Sequence, residues 1–216
     1  MKMKLLVFVV ALVFAGSGNL VYGLPKVEKY FRLSGRARAF WNQAWAIGVV
    51  SMLAVVAAVI VRFGSINLLL LFPLLTLGTV LTVIDAGTQR LPRSMTAAFL
   101  VLVLVAVTLA GFVTGQWVKP AYALIVALGA FILLLPGTFV RNGIGVGDLR
   151  LAPLLVGLAT CSSWHCLLLM GILSVVGSGF WALYLVVAKK ASGSTRLAFG
   201  PWLLMATYIA LLVVPR

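Results

Sequence analysis

Between Thr96 and Val140 the chain carries a single charged side chain, Lys119. A stretch that apolar is too long for one core helix and too oily for a wet surface. It is broken only at "TGQWVKP", residues 114–120. A bilayer-spanning helix needs about 20 apolar residues, so this stretch reads as two spans back to back. The rest of the chain repeats the pattern. It is 63% hydrophobic and 9% charged, with a mean hydropathy of +1.20. Soluble domains use about 25% charged residues. The runs are long and lack period-two alternation, which excludes a β-barrel. The expected fold is all-α: a polytopic integral membrane protein of about eight transmembrane helices. They fall near 4–23, 44–62, 67–84, 96–116, 120–140, 149–163, 165–187 and 198–214. With no internal repeat or low-complexity linker, residues 1–216 read as one membrane domain.

The net charge of +14 first suggests nucleic acid. The placement of the basic residues excludes it, because they fall in short breaks between apolar runs. If the chain starts outside, the inside loops are 24–43, 85–95, 141–148 and 188–197. These hold Lys26, Lys29, Arg32, Arg36, Arg38, Arg90, Arg93, Arg141, Lys189, Lys190 and Arg196, with Arg150 at one edge. Outside segments hold Lys2, Lys4, Arg62, Lys119 and Arg216. Such a bias places the basic loops in the cytoplasm. Residues 1–23 have the basic start, apolar run and small residues that also fit a cleaved signal peptide. The positive loop 24–43 favours a retained first helix instead. Trp41, Trp45, Trp117 and Trp164 stand near predicted helix ends, as interface aromatics do.

Acid is scarce. The only acidic residues are Glu28, Asp85 and Asp148. Asp85 closes the third predicted helix and Asp148 opens the sixth, so both are expected at the cytoplasmic face. Ionisable residues beside membrane helices are functional candidates. Two carboxylates that meet share one proton near neutral pH. The ionised partner can then take a proton from water while the protonated one polarises a carbonyl. Asp148 ends the glycine-rich run "GIGVGD", where Gly143, Gly145 and Gly147 would let a substrate backbone approach. Its place at a helix N-terminus favours the ionised form, which makes Asp148 the expected base and Asp85 the expected acid. Each aspartate alone has a plainer reading. Asp148 fits an N-cap and Asp85 a turn residue, or either could pair with Arg90 or Arg150.

The motifs resemble a known family. "GIGVGDLRLAPLLVGL" is similar to the second aspartate motif of the type IV prepilin peptidases, and "VIDAGTQRLPRSMT" to their first. "AFGPWLLMATYIAL", residues 198–211, resembles their closing helix. The resemblance covers about residues 67–214. It implies a membrane aspartic endopeptidase of the GxGD type that cuts the basic leader from prepilins or pseudopilins, after a glycine, at the bacterial cytoplasmic membrane. Carried over by motif, Asp85 and Asp148 are the catalytic pair. Gly145, Gly147, Arg90 and Pro92 shape the site, and neither metal nor other cofactor is implied. Arg150 stands where the family usually has Lys, and Arg93 where Asn or Asp often follows the proline. Loop 24–43 has no cysteine, unlike the zinc-binding cytoplasmic domain of long members, so the resemblance is to the short form.

Two rival functions remain on the sequence. One is a broader GxGD intramembrane protease, against which Ile84 stands where a Tyr would precede the aspartate. The other is a small proton- or cation-coupled transporter, which would place its acids nearer the midplane. "CSSWHC" holds Cys161, His165 and Cys166. It reads as two small apolar residues beside an interfacial Trp-His pair, with a metal site or a disulfide as weaker readings. The glycine run lacks the G-K-[ST] ending of a phosphate-binding loop. Gly171, Ser174 and Gly177 are expected to allow close helix packing, and Pro73, Pro120 and Pro136 to kink or start helices.

Overall fold

The computed structural model describes residues 53, 54, 56, 58, 65–88, 91–139, 145–188 and 199–214. Among these there is helix and no strand. The predicted segment 4–23 and the loop 24–43 lie outside the described residues. Of segment 44–62 only Leu53, Ala54, Val56 and Ala58 are described, all helical. Four helical stretches among the described residues are long and apolar enough to cross a membrane: Asn67–Ala86, Arg93–Thr114, Val118–Thr138 and Trp164–Val187. The chain divides into two compact units, Met1–Thr114 and Gly115–Arg216.

In the first unit, α1 (Asn67–Pro73) runs through a π-helical segment (Leu74–Gly78) into α2 (Thr79–Thr88). Pro73 has no N–H to give the preceding turn, and a wider turn follows it. Thr76 helps satisfy the loosened carbonyls, its hydroxyl donating to Phe72 O at 2.9 Å and Pro73 O at 3.1 Å. α3 (Arg93–Thr114) packs against α1 and the π segment. Pro92 begins it. Its carbonyl accepts from the N–H groups of Met95 (3.1 Å) and Thr96 (3.0 Å). Its own missing N–H costs nothing there, because the first-turn N–H groups have no helical partner.

In the second unit, α4 (Val118–Leu134) continues into a 3-10 turn (Leu135–Thr138). Then come α5 (Val146–Ser162), α6 (Trp164–Val187) and α7 (Gly200–Val213). α5 packs against α4, α6 and α7, and α6 packs against α7. α5 is therefore the central helix. Leu151, Leu155, Leu158, Ala159 and Cys161 on it are fully buried. α4 and α6 instead show Leu124, Ile125, Leu128, Ile172 and Val175 at the surface. Most of both helices is open at the surface, as expected for helices whose outer sides meet lipid.

Contact between these helices rests on close approach, since lipid is as apolar as leucine. A Cβ on Gly157 would stand 3.2 Å from Ala127 Cβ and 3.4 Å from Ala123 O, so α5 lies tightly on α4. A Cβ on Gly177 would fall 2.6 Å from Cε3 of Trp202, so that glycine admits the indole of α7. Of the small residues expected to pack, Gly177 does so, whereas Gly171 faces open space. Gly177→Ala is expected to destabilise the protein by about 1–3 kcal/mol through overpacking. Thermal melting in detergent reads this, and Trp202→Leu should recover part of the loss in the double variant.

Candidate active site

Asp85 lies inside α2, in its last turns, and not beyond its end as the sequence suggested. The apolar run placed the end of this span at residue 84, but the helix runs on to Thr88. The reading of Asp85 as a turn residue is thereby corrected. Its side chain is on the inward side with Leu81 and Ile84, only 5% exposed, while Ala86 faces out. A carboxyl there is rare, because taking a charge out of water is costly. Downstream, Pro92 is buried at the start of α3 and Arg93 is exposed. Arg90 lies outside the described residues.

Asp148 is in the first turn of α5. It is not the N-cap. That position belongs to Gly145, and Asp148 follows it as the third helical residue. Gly147 and Asp148 are half-buried. Gly143 lies outside the described residues. The Asp148 side chain turns back toward the cap, and a Cβ on Gly145 would stand 3.4 Å from its Oδ2. Gly145 has φ −66° and ψ 142°, a conformation open to any residue. What glycine provides there is room over the carboxylate. Arg150 is half-buried two residues on, a spacing that points it to another side of the helix. The Asp148–Arg150 ion pair considered on the sequence is therefore disfavoured.

Asp148 thus opens α5, the helix that packs against α4, α6 and α7.

Asp85 belongs to the first unit and Asp148 to the second. The type IV leader peptidase family model matches residues 69–183, more than half of the chain, and the matched region includes both aspartates. The chain belongs to the type IV leader peptidase family. It is thus a peptidase-family member with several apolar helices of membrane-spanning length. The match ends at residue 183, so the closing helix α7 lies beyond it. No curated protein and no solved structure matches the chain.

At the junction of α5 and α6, Cys161 and Cys166 are both fully buried. No disulfide joins them. Between them the Ser163 hydroxyl caps α6 by accepting from the N–H of Cys166 at 3.1 Å, so "CSSWHC" is a helix junction. Sequence reasoning missed the seating of Trp202 against Gly177. The available signals were the tryptophan within "FGPW" and a glycine one turn before Trp181.

Proposed function

We propose that the chain is a membrane aspartic endopeptidase that removes the basic leader from prepilins or pilin-like precursors, with Asp85 and Asp148 as its catalytic pair. The observation that carries this is the family match, whose span holds two of the chain's three acids. One of them is buried in a helix and the other lies beside a glycine cap.

Ionised Asp148 takes a proton from water as the water oxygen bonds to the scissile carbonyl carbon. Protonated Asp85 gives its proton to the carbonyl oxygen. The tetrahedral intermediate then collapses: the C–N bond breaks, Asp148 returns its proton to the leaving amine, and one hydroxyl of the intermediate gives its proton back to Asp85. Gly145 keeps the space over Asp148 open to water and to an extended substrate backbone. Pro92 fixes the start of α3 after the first aspartate motif, and Arg90 and Arg150 complete the two motifs. The reaction occurs at the cytoplasmic side of a bacterial inner membrane, where the basic loops lie.

The test is leader cleavage of a co-expressed prepilin, read by gel shift. Wild type should cut, and Asp85→Asn and Asp148→Asn should lose about 10²-fold or more of the rate at equal protein levels. Cutting by either Asn variant at the wild-type rate would refute the assignment.

A further inference from the structure

The second unit carries aromatic rings at both of its ends. α5 and α6 are joined through one extended residue, Ser163, and pack against each other, so α6 returns along α5. Trp117, before α4, and Trp164, opening α6, are 50% and 54% exposed at the Ser163 end. At the Asp148 end, Trp181 stacks on Tyr184 with ring centroids 5.4 Å apart. Trp202 of α7 lies 6.3 Å from Trp181 and is seated on Gly177. Trp181 and Tyr184 stay about half exposed.

Helix rise converts these positions into depths. From Trp164 to Trp181 is about 26 Å along α6 at 1.5 Å per residue. That is close to the roughly 30 Å of bilayer hydrocarbon. Between the two levels the large exposed apolar side chains of α4 and α6 are leucine, isoleucine, valine and phenylalanine, with Tyr122 near the Ser163 end. Asp148 to Ser162 spans as many residues as Trp164 to Ser178. Asp148 is therefore level with Ser178, roughly 4–5 Å, about one helical turn, inside Trp181.

We propose that Trp181, Tyr184 and Trp202 form an anchor that binds the glycerol and headgroup layer of the bilayer, and that they hold Asp148 about one turn below that layer. The occupant is lipid, because the ring levels match a bilayer's thickness and the large side chains exposed between them are almost all apolar. Rings with an apolar body and a polar edge favour that boundary. Gly177 fixes Trp202 against α6, so the three rings move as one body with the helices that carry them. The role given to Asp148 rests on the proposed protease reading. The anchor itself does not.

Fluorescence quenching by brominated lipids tests this on the full chain in vesicles. In one variant Trp181 is the sole tryptophan, with Phe at the other five positions, and in a second Trp164 is. Both should lose more fluorescence to lipids brominated near the glycerol than to those brominated near the chain end. Stronger quenching by the deep bromines, or none by either, would overturn the anchor. Should those variants fail to fold, a spin label at exposed Val146 in a Cys161→Ala, Cys166→Ala protein reads depth with all tryptophans kept. Oxygen should relax it more than a water-soluble nickel chelate does, and the reverse overturns the proposed depth. Neither readout uses cleavage, so an enzyme that cuts nothing leaves this test intact.

Discussion

Asp85→Asn, Asp148→Asn and the double variant are expected to cut prepilin at one common residual rate. Positioned acid–base catalysis contributes about 10²–10⁴-fold, and losing either partner should forfeit at least that. The double variant should lose no more, because the pair handles one proton as a unit. An amide at 148 can neither take the proton from water nor return it to the leaving amine, and an amide at 85 cannot give its proton to the carbonyl oxygen. Groups that act together give non-additive losses. Single-turnover cleavage by protein in vesicles is the measurement. Losses that multiply in the double variant would show two independent roles and exclude the shared-proton mechanism.

Gly145→Leu should stop cleavage nearly as completely, whereas Gly145→Ala should leave much of it. The alanine methyl would stand 3.4 Å from Asp148 Oδ2, an ordinary contact. The leucine branch would continue into the space over the carboxylate, which water and the scissile carbonyl must share. Displacing reacting groups by about an ångström costs on the order of 10²-fold, and excluding them costs more. The backbone at Gly145 suits any residue, so melting temperature should change little in either variant. Equal cutting by the leucine variant and wild type would remove Gly145 from the site. A large fall in stability would reassign it to folding.

Much of the helical layout was legible because membrane helices announce themselves by apolar length. The predicted segment 96–116 is α3 at Arg93–Thr114, and 165–187 is α6 at Trp164–Val187. The end of the third helix was misread. Asp, Gly and Thr favour turns in water, but here "DAGT" continues a helix whose buried side takes the aspartate. The π segment after Pro73 also escaped, since a proline in an apolar run signals a kink without saying how the next turn absorbs it. The glycine-aspartate motif was legible as a motif. That Gly145 and not Asp148 caps α5 was not, because both residue types are good caps. The fit of Gly177 to Trp202 depends on two helices meeting, which no local pattern encodes.

The central claim is that two carboxylates from separate motifs act on one bond, and proximity tests it most directly. Asp85→Cys and Asp148→Cys would be combined in a chain whose buried thiols are removed by Cys161→Ala and Cys166→Ala. Mild oxidation, or a short bifunctional thiol reagent, would then be applied in native membranes. A protease cut between residues 85 and 148 makes the link visible on a gel. Efficient cross-linking of the pair, and none in either single-cysteine control, is the predicted result. Two thiols that both react with a monofunctional label yet never link to each other would contradict the two-aspartate account.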